Sequence, residues 1–212
     1  MTAAIAIVVL AAWTVEAVVI GRAMGRRGFA PYTWAALAFV LGPLAVPVAV
    51  WALRNEPHDD PELLSAGSRG EGNVDILVGL DGSSASRQAV LAAERLFAGR
   101  IGRVTFAHVL SFDATRYIED QARDDLEVEA AAFGHLHPTT MLLHGNPADT
   151  LRDYAVRLGY DVLAVGMCGA GRTHALLGSV ASSLAHGATV PVLLADATPT
   201  AAPEQQEEEI AG

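Results

Sequence analysis

The sequence predicts a doubly wound α/β domain, and three observations predict it. Five short apolar runs lie between Val74 and Leu194, none with strict alternation. A helix-periodic stretch separates each from the next, and two of the runs end in glycine, at Gly79 and Gly166. Strands buried on both faces lose their alternation, as a parallel sheet covered by helices requires.

Taken from the amino terminus, residues 1–53 read as a transmembrane helical hairpin. Thr2 to Gly21 is an apolar run interrupted only by Glu16, and Thr33 to Leu53 is a run of 21 residues without a charge. As one helix the second run would extend about 31 Å, the thickness of a bilayer's hydrocarbon core. Trp34 and Trp51 fall near its ends, where amphipathic rings favour the interface. A signal peptide is disfavoured because Met1-Thr2-Ala3-Ala4 carries no basic residue. Glu16 lies close enough to the end of its run to snorkel. Pro43 and Pro47 should kink the second helix, and Gly42 allows close helix contact.

Residues 54–73 read as a flexible linker, with Pro57 and Pro61 breaking any helix and acids at Glu56, Asp59 and Asp60. The α/β domain follows over 74–197. Val74 to Gly79 is its first strand, and Ser83 or Ser84 caps a helix to about Phe97. Val104 to Leu110 is the second strand, Ala114 to Phe133 a charged helix, and Met141 to His144 the core of the third strand. Pro147 to Leu158 is a helix opening on proline. Asp161 to Gly166 and Thr189 to Leu194 are the last two strands, with a helix from Ser179 to His186 between them. Residues 198–212, rich in glutamate, read as a disordered acidic tail.

Composition limits the partners. The net charge of -10 offers no basic face to a phosphate backbone, which argues against nucleic acid. All 14 basic residues are arginine, a sign of a GC-rich genome. Cys168 is the single cysteine and reads as an ordinary thiol. His135, His137 and His144 read as surface histidines, since no carboxylate or cysteine at ligand spacing supports a metal. The acids from Glu119 to Glu129 read as a solvated helix face around Arg123. No nucleophile, base and orienting group occur as a set, so the chain is not expected to be an enzyme, beyond slow ATP hydrolysis at most.

In doubly wound sheets ligands bind beyond the carboxyl ends of strands, where strand order reverses. For an order 3-2-1-4-5 the reversal brings Gly79-Leu80-Asp81-Gly82 against Gly166-Met167-Cys168-Gly169. Glycines permit close approach there, and the N–H groups of Gly178, Ser179 and Val180 at a helix start are expected to be free donors for an anion. Asp81 would accept a bond from a base or ribose, or cap the next helix.

These residues also resemble a family. Ile76-Leu77-Val78-Gly79-Leu80-Asp81-Gly82-Ser83, His108-Val109, and Gly166-x-x-Gly169 with Gly178-Ser179 are similar to a universal stress protein domain, over about Asn73 to Ala195. The resemblance implies the 3-2-1-4-5 five-stranded parallel sheet, a homodimer through the last strand, and in one subgroup ATP, with or without Mg. It implies adenine contacts at Gly79, Asp81 and Val109, and ribose and phosphate contacts at Val165, Gly166, Gly169, Gly178, Ser179 and Val180. Eight residues, Ala170 to Leu177, separate the last two glycines, one fewer than the family's ATP-binding members usually have. Arg172 and His174 in that stretch could add charge.

Two functions follow as expectations: a membrane-tethered adenine-nucleotide sensor in a stress response, or an interaction module of the same fold that binds no nucleotide. The expected location is the bacterial inner membrane, multi-pass, with the domain in the cytoplasm where ATP is available. Arg22, Arg26 and Arg27 in the loop between the helices oppose this, because positive-inside bias alone would place that loop, rather than the domain, in the cytoplasm.

Overall fold

The computed structural model describes residues 2–54, 61–168, 177–187 and 189–197, with side chains from Ile7 onward. The tail 198–212 and linker residues 55–60 lie outside the described residues. The amino-terminal helices are α1 (Thr2–Gly25), α2 (Pro31–Leu41) and α3 (Ala45–Arg54), the last two joined by a 3-10 turn, Gly42–Leu44. Next come β1 (Glu62–Ser65), β2 (Val74–Gly79), α4 (Ser84–Leu96), β3 (Ile101–Leu110) and α5 (Arg116–Ala132). The chain continues through β4 (Thr139–His144), α6 (Pro147–Arg157), β5 (Val162–Gly166), α7 (Ser179–Gly187) and β6 (Val192–Ala195).

The sheet order is β1-β4-β3-β2-β5-β6. All neighbours from β4 to β6 are parallel. The five expected strands therefore stand in the expected order, and the reversal lies between β2 and β5. Side chains alternate between two helical layers. Ile76, Val78, Val104 and Phe106 meet Ala89, Val90 and Ala93 of α4 and Leu126 of α5. Leu77, Ala107, Leu163 and Val165 meet Leu151 and Ala155 of α6 and Leu184 of α7. Burial on both faces is why neither β2 nor β5 alternates in sequence.

The sheet has six strands, not five. β1 pairs antiparallel with β4, Leu63 opposite Met141, within residues read as linker. Arg123 of α5 holds it, donating to Glu62 at 2.8 Å and to Asp120 at 3.0 Å. The Gly67 N–H donates to Thr139 Oγ1 at 3.0 Å. Three of its four residues are exposed, so it carries no apolar pattern to betray it.

The second apolar run is two helices, not one. Gly42 adopts φ +55° and ψ -136°, a conformation that ends α2 before Pro43. A Cβ at Gly42 would lie 2.2 Å from the Trp13 indole, so only glycine fits against α1 there. Farther along, a Cβ at Gly21 would lie 2.8 Å from Ala35 Cβ, which sets α1 and α2 antiparallel. Ala45, Ala49 and Ala52 bury one side of α3, while Ile7, Val8, Leu10, Val15, Val40 and Trp51 remain exposed. By length and composition alone, Ile7–Gly25 and Pro31–Arg54 are apolar enough to cross a membrane.

Candidate functional site

The carboxyl ends of β2 and β5 open onto a cavity of about 300 Å³. Its floor is Gly79 and Val165, paired across the two strands. A Cβ at Gly79 would lie 2.8 Å from Leu151 Cδ1 and 3.1 Å from Val165 Cγ1, so glycine keeps the floor low. At Gly166 a Cβ would lie 2.7 Å from the Ser86 amide nitrogen, the first turn of α4. β5 and α4 thus approach closely enough that glycine is the residue that fits.

The turn after β2 is held by its own polar groups. Leu80 N–H donates to Ala107 O at 2.9 Å, which continues the sheet one residue past β2. Asp81 is exposed, and its Oδ1 accepts the Ser83 N–H at 3.1 Å. Gly82 takes φ +73°. Ser83 caps α4, its Oγ accepting the Ser86 N–H at 3.1 Å. One Asp81 oxygen thus braces the turn, and the other accepts no hydrogen bond from the described residues. Behind the turn, on the α5 side, sits His108. Burial pushes its imidazole below the ordinary value, against the opposite pull of Asp81 and Asp125.

Eight of the nine residues expected at the site line this one cavity: Gly79, Asp81, Val109, Val165, Gly166, Gly178, Ser179 and Val180. Gly169 lies outside the described residues, as do Arg172 and His174. One expectation is corrected. The Gly178 N–H is not a free donor, because it donates to Met167 O at 2.7 Å and closes the base of the glycine loop. Ser179 and Val180 begin α7, where first-turn N–H groups have no partner within the helix.

Sequence reasoning missed the apolar wall made by Pro147 and Leu151 of α6, with Ala107 and Met167. The available signal was Pro147-Ala148 directly after Gly145-Asn146, a helix start placed at the end of a strand. His144 is another correction, being only 13% exposed and 3.8 Å from Glu119. His135 does lie at the surface, 2.8 Å from Glu94.

A second cavity, about 480 Å³, shares the Pro147, Ser179 and Val180 wall and is closed on its other side by Gly25, Gly28, Phe29, Ala30 and Pro31. The loop between α1 and α2 therefore docks beside the first cavity. Phe112 N–H donates to Gly28 O at 2.9 Å, and Ala30 N–H to Asp113 Oδ1 at 2.9 Å. Asn146 Nδ2 donates to Gly25 O at 3.4 Å. The Phe29 ring is buried between Trp34 and Phe112, at 5.8 and 5.4 Å.

Compared with known families, residues 72–196 match the universal stress protein family. No curated protein matches the chain in sequence. Among solved structures, the hypothetical protein MJ0577 aligns at 18% identity over 60% of this chain and 98% of its own, with a TM-score of 0.53. The hypothetical protein PH0823 aligns at 19% identity over 60% and 99%, with a TM-score of 0.50. A universal stress protein in complex with cAMP aligns at 26% identity over 60% and 100%, with a TM-score of 0.47. The first two share the α/β fold.

Proposed function

Since the chain belongs to the universal stress protein family through residues 72–196, we propose that its α/β domain binds an adenine nucleotide, ATP with or without Mg, in the cavity between β2 and β5. Residues 1–53 attach it to the bacterial inner membrane, and occupancy regulates a partner or a second copy of the chain in a stress response. The observation that carries the reading is convergence. Residues drawn from four separate segments, expected from the glycine turns, a helix start and the family resemblance, meet around one cavity at the strand-order reversal.

The chemistry divides along the cavity. Leu80, Val109, Leu151 and Val165 give an apolar slot for a planar base. Asp81 has an oxygen left to accept from the base's exocyclic amine or from ribose. The Ser179 and Val180 amides face the phosphate end with the positive end of the α7 dipole. Apolar exposure on α1 to α3, with Trp51 near the far end of its run, supports the membrane attachment.

Calorimetric titration of the full chain in detergent with ATP, AMP and cAMP, with and without Mg, tests the site. Val109→Trp, which fills the slot, should abolish the heat of binding while leaving the circular dichroism unchanged. Asp81→Ala should weaken binding by about tenfold, the worth of one hydrogen bond to a charged group. Absence of binding at millimolar nucleotide would overturn the proposal in favour of a nucleotide-free interaction module. The closed Gly178 amide is the observation that favours that second reading.

A further inference from the structure

The docked loop bears on how the amino-terminal helices meet the bilayer. In a plain two-span hairpin, the loop after α1 and the segment after α3 lie on opposite sides of the membrane. Here the Gly25–Pro31 loop contacts the α/β domain, which follows Arg54 closely. Eight peptide steps separate Arg54 from Glu62 in β1. Fully extended they reach about 29 Å, no more than one hydrocarbon thickness. Crossing back would also drag Glu56, Asp59 and Asp60 through lipid. A straight-through second span and the docked loop are incompatible.

The helix break removes the conflict. α2 has 11 residues and α3 has 10. Each is therefore about 16 Å long, half the hydrocarbon thickness, whereas α1 with 24 residues is about 36 Å. The corner at Gly42 packs on Trp13, near the middle of α1. α1 runs along α2 much more extensively than along α3. Irregular backbone at membrane depth is tolerated where its polar groups are satisfied: the Gly42 N–H donates to Ala38 O and the Ala45 N–H to Gly42 O and Pro43 O, with Gly42 and Ala45 buried while Pro43 and Leu44 face outward.

We infer that Pro31–Arg54 is a re-entrant element that turns at Gly42 near the bilayer midplane, so that the Gly25–Pro31 loop, the linker and the α/β domain share one aqueous compartment and α1 alone crosses. The inference rests on the membrane attachment proposed above. It places Arg22, Arg26, Arg27 and Arg54 on the domain's side of the bilayer. Positive-inside bias and a cytoplasmic domain then agree, where a two-span hairpin set them against each other.

Cysteine labelling of the full chain in bacterial membrane vesicles tests it. Thr2→Cys, Arg26→Cys and Ser68→Cys are each placed in a Cys168→Ala background and exposed to a membrane-impermeant maleimide in right-side-out and inverted vesicles. Arg26→Cys and Ser68→Cys should label in inverted vesicles and lose labelling in right-side-out ones, with Thr2→Cys the reverse. On the unsubstituted chain, trypsin cuts after Arg26 or Arg27 and after Arg54 should arise together in one vesicle orientation. Arg26 and Ser68 labelling from opposite faces, or tryptic cuts divided between orientations, would overturn the re-entrant turn and leave membrane attachment intact. Release of the chain by alkaline carbonate would overturn both.

Discussion

Asp75 and His108 show how single ionisable groups are held on opposite ends of the sheet. At the amino end of β2, Asp75 Oδ2 accepts from Arg69 at 3.0 Å and Arg103 at 3.2 Å, and Arg103 stacks 4.2 Å over the Tyr160 ring. Asp75→Asn should lower unfolding free energy by about 2 kcal/mol in urea, less than for a fully buried pair because Arg103 is 31% exposed. At the other end, folded His108 holds its proton less tightly than the unfolded chain does. Its contribution to stability is thus fully present above about pH 6.5 and is lost as pH falls through the folded value. Urea midpoints measured from pH 8 to pH 5 should fall more steeply for the wild type than for His108→Gln, and parallel profiles would contradict the burial. Residues of this kind were only half legible. Glycine and Asp81 at strand ends announce a ligand turn because backbone must approach closely there. The closure of the Gly178 amide on Met167 was not legible, since which carbonyl a loop amide finds depends on the loop's path and not on its composition.

Among the elements, the five parallel strands and their helices were readable because each carries its own period or cap. Ser83 and Asn146 accept amide bonds at the starts of α4 and α6, where their residue types predict caps. β1 was not readable, because its pairing is decided by β4 and its anchoring by Arg123, both distant in sequence. Arg123→Ala should therefore raise hydrogen–deuterium exchange at the Leu63 to Ser65 amides while leaving β2 and β5 protected. Uniform exchange across the sheet would mean that Arg123 does more than pin an edge. The second apolar run shows a different limit. Hydropathy measures apolar length, and Gly42-Pro43 was readable as a kink, but the size of the bend came from the fit of Gly42 against Trp13.

At the scale of the whole molecule, β6 leaves one edge of the sheet with β5 as its single described neighbour, while β1 occupies the other. A homodimer through the last strand would use that β6 edge. Light scattering of the detergent-solubilised chain, corrected for bound detergent, should give about twice 22.1 kDa. Exchange at the Val192 to Ala195 amides should slow as protein concentration rises, and a concentration-independent monomer mass would exclude the pairing. Asn146 adds a consequence of another kind. Its Oδ1 accepts the amides of Ala148 and Asp149, and its Nδ2 reaches the Gly25 carbonyl, so one side chain both caps α6, whose Pro147 and Leu151 line the candidate cavity, and holds the docked loop. Two equilibria that share a residue obey reciprocity: whatever factor loop docking applies to ligand affinity, the ligand applies to loop docking. Each tenfold of that factor is about 1.4 kcal/mol of work passed between the cavity and the amino-terminal helices.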